Sequence, residues 1–487
     1  MKPNNIYDIA IIGGGINGMA IARDAAGRGL KTYLCEKDDF GSATSAWSSK
    51  MLHGGLRYLE FFEFGLVRKA LKERDVMLRL APHMVKEQRF IVPHLPHLRP
   101  SWMIRLGLFL YDHLYHSAFL RRSHNANMEG LSIRPQYNTG FEYSDTVVDD
   151  HRLVIELAME AQNLGATLQS HTICTHVDTE GGLWKITTES NDKSQSHFAK
   201  QLVNATGPWA ESFLSQKTET PPSKHLRLVK GSHIVVPQLY REPYAYTFQD
   251  NQGRVVFTFP YLNKYTLIGT TEEPHDDDPN SAKISDAETQ YLASVVEQYF
   301  GKKISKGDII WHFSGVRPLI EEAHKDDRQT SRDYNIEKIS HQGCEMVNIW
   351  GGKLTTHRAL AEDVLKTLNH TQHWTSTLPF TSAVNPGVFP SKLQRKFPFL
   401  TDDMAKRLTQ AYGNRCLTLL KNCQTKADLG QHFGNDLYEK EVRYLIQHEW
   451  VQSAESVLFF RTKCGVGMSD NQIKTFKQAF EKIKQNS

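Results

Sequence analysis

The chain has 487 residues, 40% hydrophobic and 23% charged, with 32 Gly and 19 Pro. That ordinary composition excludes collagen-like, mucin-like and wholly disordered classes, and the length supports about three compact units. Lys and Arg number 58 against 54 Asp and Glu, a net charge of +4. So small an excess excludes a dedicated nucleic-acid binder and leaves room for a local basic patch facing an anion or a membrane.

The six cysteines, Cys35, Cys174, Cys344, Cys416, Cys423 and Cys464, form no CxxC pair. A reducing compartment with buried free thiols is therefore expected. No apolar leader precedes the first strand, and no segment reads as a membrane span. Both points suggest an intracellular protein that meets a membrane, if at all, from its surface.

Residues 7–12 (YDIAII) form an apolar, β-branched run bounded by glycines, which predicts a strand buried on both faces. Gly13, Gly14 and Gly15 follow, then an alanine-rich helix over 16–28 stopped by Gly29, then a second strand over 31–35 ending at Glu36. This is one βαβ unit of a parallel sheet. Further strands are expected at 172–177, 184–188, 201–205, 233–237, 255–260 and 265–270. Their alternation suggests antiparallel sheet with one wet face.

The dinucleotide-binding unit is thus expected to be discontinuous (1–80, 140–215 and 310–370). A substrate-capping unit (81–139 and 216–309) is inserted into it. A proline-rich linker (371–391) then leads to a helical C-terminal domain (392–487).

Gly13-x-Gly15-x-x-Gly18 lies between strand and helix, where the fingerprint needs to be. The first glycine permits the tight turn, the second lets backbone approach a pyrophosphate, and the third lets helix and strand pack closely. Glu36, beside Lys37 at the end of the second strand, suits ribose hydroxyls and repels a 2′-phosphate. The fingerprint alone leaves NAD and FAD open. Two later segments favour FAD: Ala205-Thr206-Gly207 at a strand's carboxyl end, and Gly351-Gly352-Lys353-Leu354-Thr355 before a helix. Small residues let a cofactor lie against the backbone, and a helix N-terminus suits an electron-rich reduced ring.

These segments closely resemble the FAD-dependent, membrane-associated glycerol-3-phosphate dehydrogenases of aerobic bacteria. The shared stretches include GGGINGMAIARDAAGRGL (13–30), ATSAWSSKMLHGGLRYLE (43–60), RPSWMIRLGLFLYDHL (99–114), LVNATGPW (202–209), KGSHIVVP (230–237), SGVRPL (314–319) and WGGKLTTHR (350–358). The resemblance spans nearly the whole chain. It implies an α/β fold with a Rossmann-like FAD-binding domain of the glutathione-reductase/D-amino-acid-oxidase type. An inserted antiparallel-sheet substrate domain and a C-terminal helical domain would complete it. It also implies oxidation of sn-glycerol 3-phosphate to dihydroxyacetone phosphate, with electrons passed to ubiquinone or menaquinone. A homodimer, peripheral on the cytoplasmic face of the inner-membrane lipid surface, would follow.

Residue by residue, the resemblance assigns Gly13, Gly14, Gly15, Asn17, Gly18, Glu36 and Lys37 to the cofactor. Thr44, Ser45, Ser48, Ser49 and Leu52 join them, as do Ala205, Thr206, Gly207, Gly352, Lys353, Leu354 and Thr355. Arg57, Tyr58, Arg317 and Arg332 are expected to contact substrate, because a guanidinium fork matches a phosphate. His233 is either the base that takes the hydroxyl proton or an ordinary core histidine. Arg317 and Lys353 complete the expected catalytic set.

The apolar stretch 102–120, with Arg105, Arg121 and Arg122, suits either a membrane interface or a packed helix. Leu108 and Phe109 are expected on its lipid side. His94 and His97 have ligand-like spacing, but Pro93, Pro96 and Pro100 break any helix there, so no metal site is expected. An oxidase that hands electrons to oxygen, an amine oxidase of the same fold and a non-catalytic flavoprotein are the competing readings.

Overall fold

The computed structural model describes residues 6–218, 220–321 and 333–486. Among these, the strands form two large sheets and one short ribbon. The first sheet is built around Ile6–Ile12, whose neighbours are Thr32–Cys35 and Lys193–Asn204, both parallel to it. Thr167–Gln169 extends it on one side and Cys344–Trp350 on the other, again in parallel. Helix Ile16–Gly27 crosses between the first two strands and buries Met19, Ala20, Ile21 and Ala22. Gly29, with φ +80°, ends the turn beyond it. Small side chains suit this helix because helices Asp150–Asn163 and His357–Thr367 both pack against it.

Parallel pairing sends the carboxyl ends of these five strands to one edge, where the glycine turn sits. Ile12 is level with both Cys35 and Asn204. Asn204 is fully buried, and its Oδ1 accepts the Thr206 N–H (3.2 Å) and hydroxyl (2.7 Å). That pair of bonds shapes the Ala205-Thr206-Gly207 turn.

The second sheet runs Glu273–Pro274, Leu226–Pro237, Tyr265–Gly269, Val255–Tyr261, Ala245–Gln249, Lys86–Pro93, Gly140–Val147 and Met51–Leu52. Trp311–Ile320 also pairs along Leu226–Pro237. The expected strands therefore divide differently from their alternation. Ile173–Glu180 and Leu183–Ser190 form a hairpin continued into Lys193–Asn204, so they belong to the first sheet. The second half of Lys193–Asn204 is fully parallel. By pairing, Gly140–Val147 and Trp311–Ile320 join the capping sheet instead of the dinucleotide-binding one. Periodicity reports whether a face is wet, and it carries no information on which partner a strand finds.

The proline-rich segment after Thr367 is packed down. Trp374 lies against Gly27, Phe380 is buried in the first core, and Thr381 and Ser382 donate to Glu160 and Glu156. Beyond it, helices Phe389–Lys396, Asp402–Tyr412, Glu439–His448 and Asp470–Gln485 enclose a separate core that includes Leu408, Tyr412, Leu445 and Phe476. Thr401 and Ser469 cap two of these helices. This unit docks through buried ion pairs: Arg152 on Glu449 (2.5 and 3.1 Å), Arg461 on Asp39 (2.9 and 2.8 Å) and Arg415 on Glu156.

Helix Ser101–Leu114 follows Pro100, the residue before which no helix forms. Its Leu108 and Tyr111 are buried, while Trp102 (65% exposed), Met103, Leu106 and Phe109 face outward. The helix is therefore packed on one face and bare and apolar on the other. Leu108 was expected on the outer side; it points to the core. No helix of the described residues is long and apolar enough to cross a membrane.

Candidate active site

One cavity of about 1370 Å³ runs from the glycine turn, between the sheets, to the exposed apolar helix. At its closed end the glycines are required by space. A Cβ on Gly13, whose φ is +107°, would lie 2.6 Å from Ala205 O, and one on Gly18 would lie 1.9 Å from Gly13 O. The Ser45 hydroxyl accepts the Ile16 N–H (2.9 Å) at the start of the first helix. Glu36 accepts from the N–H groups of Gly14 (2.7 Å) and Asp38 (3.0 Å) and still lines the cavity. Burial pushes its carboxyl above the ordinary value, and those two bonds oppose the shift.

A cradle that admits backbone and no Cβ, ending in a carboxylate, fits the pyrophosphate and ribose of FAD. Gly352 (φ +112°) and the turn Leu354–Thr356 form the opposite wall, ahead of helix His357–Thr367.

The cofactor candidates on the cavity wall are Gly13, Gly15, Asn17, Glu36 and Lys37. The wall continues through Thr44, Ser45, Ser48, Ser49, Ala205, Thr206, Gly207 and the run Gly352–Thr355. Gly14, Gly18 and Leu52 do not line it. Gly14 packs on Glu36 and Phe40, Gly18 supports the turn from behind, and Leu52 is fully buried in the first core.

Arg57, Tyr58, Arg317 and Lys353 all line this cavity. Gly54 and Gly55 make this possible, since a Cβ on the first would meet Tyr111 Oη at 2.6 Å and one on the second the Tyr58 ring at 2.2 Å. Tyr111 Oη accepts the Gly54 N–H (2.8 Å) and donates to Asp145 (2.7 Å), which Arg74 holds at 2.8 Å. The turn Leu56–Phe61 then presents Arg57 and Tyr58. The Lys353 ammonium lies 3.7 Å from the Tyr58 ring centroid, a cation–π contact joining two separated motifs. Arg317 sits on the capping sheet, with Glu272 Oε1 and Thr270 Oγ1 at 3.5 and 3.4 Å. Arg332 lies outside the described residues.

His233 is set back from the cavity wall. Its ring is 1% exposed, does not line the cavity, and stacks on Phe313 (4.7 Å, 15°). Gly269, opposite it in register, leaves the room, since a Cβ there would lie 2.1 Å from the ring. His233 Nε2 is 3.0 Å from Ser49 Oγ, so the ring reaches the cavity only through that hydroxyl. Burial, then the charges of Arg317 and Lys50, hold its pKa well below 6.5. A near-neutral titration does not describe this group.

Thr270, Glu272 and Arg254 also line the cavity and carry no local motif, and Gly231 lines it from within the KGSHIVVP stretch. The one available signal was Gly269 inside the strand expected at 265–270, since a glycine within a strand marks a close approach.

Residues 8–358 match the family described as FAD dependent oxidoreductase, and 352–486 match the C-terminal domain of alpha-glycerophosphate oxidase. The chain belongs to the FAD dependent oxidoreductase family, and FAD is its cofactor. Among its relatives, the glycerol-3-phosphate dehydrogenase of Pseudomonas aeruginosa is 43% identical over 96% of this chain and 93% of its own. The aerobic glycerol-3-phosphate dehydrogenase of Escherichia coli is 42% identical over 96% and 95%. The D-erythritol 1-phosphate dehydrogenase of Brucella abortus is 39% identical over 97% of each. In fold, the chain is similar to the FAD-complexed glycerol-3-phosphate dehydrogenase from Bacillus halodurans, at a TM-score of 0.76, 23% identity, and coverage of 99% and 95%.

Proposed function

We propose that the chain oxidises sn-glycerol 3-phosphate to dihydroxyacetone phosphate, with a membrane quinone, ubiquinone or menaquinone, receiving the electrons. The observation that carries this reading is that Arg57, Arg317 and Lys353 line the same cavity as the FAD cradle. A dianionic phosphate needs such a cluster, whereas an amino-acid carboxylate needs a single clamp. FAD, when bound, supplies the acceptor for the hydride of the carbinol C–H.

The residues of the chain do the rest. Arg57 and Arg317 grip the phosphate and so fix which carbon faces the cofactor. Lys353, set against Tyr58, adds positive charge where the hydroxyl loses its proton. The Ser49 hydroxyl, held 3.0 Å from the neutral His233 Nε2, orients the substrate hydroxyl; burial and the charges of Arg317 and Lys50 make His233 a weak base, so the proton leaves toward water and does not rest on the ring.

The exposed face of Trp102, Met103 and Leu106, with Phe62 (78% exposed) and Phe64, rims the same cavity. An apolar rim on the cofactor cavity suits a lipid-borne acceptor, and Arg105, Arg121 and Arg122 suit anionic headgroups on the cytoplasmic side of the membrane.

Anaerobic titration of the flavin spectrum tests the substrate. Bleaching by glycerol 3-phosphate, weaker bleaching by erythritol phosphates and none by glycine or lactate is expected. Bleaching by glycine alone would replace this reading with an amine oxidase. Peroxide formation at the full turnover rate without quinone would replace the acceptor with oxygen.

A further inference from the structure

Lys50 takes no part in the chemistry proposed above, yet it is 4% exposed, charged, and held at φ +59°, a left-handed backbone that a lysine rarely adopts. Its ammonium donates to both oxygens of Asp150 (2.8 and 2.9 Å) and to Ala46 O (2.5 Å), four residues back in its own loop. The same Asp150 carboxylate accepts the Ser48 N–H (3.0 Å) and hydroxyl (2.7 Å), and Ser48 Oγ in turn accepts the Lys50 N–H (3.0 Å). The Lys50 carbonyl accepts the Val148 N–H at 2.9 Å. The loop 44–50 is thereby closed on itself and pinned to the first turn of helix Asp150–Asn163.

That loop carries Ser45, Ser48 and Ser49 on the cavity wall, and Ser49 faces His233. The Lys50 ammonium also lies 4.7 Å from the ring of Phe313, on which His233 stacks. Strain in the backbone and charge in the core are both costly, and a glycine or an apolar side chain would relieve one or the other. Their joint presence needs a purpose that loop shape supplies.

We propose that Lys50 is a positioning residue: through Asp150, Ala46 and Ser48 it sets the flavin-side loop so that Ser48 and Ser49 meet FAD in register. The same grip is repeated next door, where Lys463 of the C-terminal unit, also left-handed (φ +56°) and 5% exposed, donates to Asp149 (2.5 Å). Consecutive aspartates are thus clamped from both sides. The inference requires FAD in the cavity and is independent of which alcohol is oxidised.

The test is Lys50→Met/Asp150→Asn, which removes both charges together and leaves no buried ion unpaired. Apoprotein is titrated with FAD, and its melting temperature and the bound-flavin spectrum are recorded beside the parent and Lys50→Arg. The expected result is an apoprotein that melts near the parent, a Kd for FAD raised roughly tenfold or more, an altered flavin band, and partial recovery in Lys50→Arg. Parental Kd and spectrum in the folded double variant would overturn the proposal and leave the pair a structural ion bridge. If the double variant does not fold, Asp150→Glu keeps the charge and shifts the carboxylate that holds Lys50 without touching the cavity wall, and the same two outcomes decide.

Discussion

The two ends of the cavity are built on opposite principles. The glycine turn works by exclusion: Gly13 and Gly18 sit where any Cβ would strike backbone, so cofactor recognition there rests on main-chain groups that cannot move aside. The substrate end works by side chains. Arg57, Arg317 and Lys353 come from three distant stretches of chain and share one cavity wall only in the folded protein. The first arrangement is local and encoded in a few consecutive residues. The second is assembled by topology, and each member can be altered without disturbing the turn.

This contrast sets the order of expected effects. Gly18→Ala should do the most harm, since the added carbon falls 1.9 Å from Gly13 O. Overpacking of about 3 kcal/mol would weaken FAD binding by roughly a hundredfold, and the purified protein should be nearly colourless. A fully yellow Gly18→Ala protein would mean that the turn has slack.

Glu36→Ala comes next, because it removes both the ribose acceptor and two bonds that brace the turn. Charged hydrogen bonds worth about 1.5–3 kcal/mol each predict a partly apo protein whose FAD is lost on dilution. Equilibrium dialysis reads this directly, and wash-resistant flavin would count against Glu36.

Arg317→Lys should spare the flavin and raise KM for glycerol 3-phosphate by about tenfold, since it keeps the charge and loses the fork. An unchanged KM would take Arg317 out of the phosphate site, and a loss of flavin would show the two ends to be less separate than drawn.

Replacing Leu106 and Phe109 with Glu should leave both ends intact and slow only quinone reduction, with release from anionic liposomes in a sedimentation assay. Retention on the liposomes at the parental quinone rate would move the docking face elsewhere.

The smallest effect expected is none. His233 is depressed by burial, Arg317 and Lys50, so its ring is uncharged above and through pH 6.5 and gains a proton only at more acid pH. Stopped-flow flavin reduction should therefore show no limb centred near pH 6.5, and a limb there that vanishes in His233→Asn would contradict the buried geometry.

The same contrast explains what could be read in advance. The glycine turn, Glu36 and the Gly351-Gly352 turn were legible because their geometry is set by neighbours in sequence. Arg57, Tyr58 and Lys353 were legible through their motifs, but the contact between Tyr58 and Lys353 was not. Glu272 and Thr270 carry no spacing signal, because their tie to Arg317 exists only once Leu226–Pro237 lies between the two flanking strands. Leu108 and Phe109 show the remaining gap. Both are apolar on one helix, and only packing decides that the first is core and the second is bare.

The ion pairs that dock the C-terminal unit carry a consequence for synthesis of the chain. Arg152, Asp39 and Glu156 are made early, and their counter-ions Glu449, Arg461 and Arg415 leave the ribosome last. Until they do, the nascent dinucleotide-binding unit presents these charges to water on a face that the C-terminal unit covers in the finished protein, and the contacts of that face are unmade. Its native packing should therefore lock in only after the final helices emerge. A chain arrested short of Glu449 should remain protease-sensitive throughout, including in the part already complete.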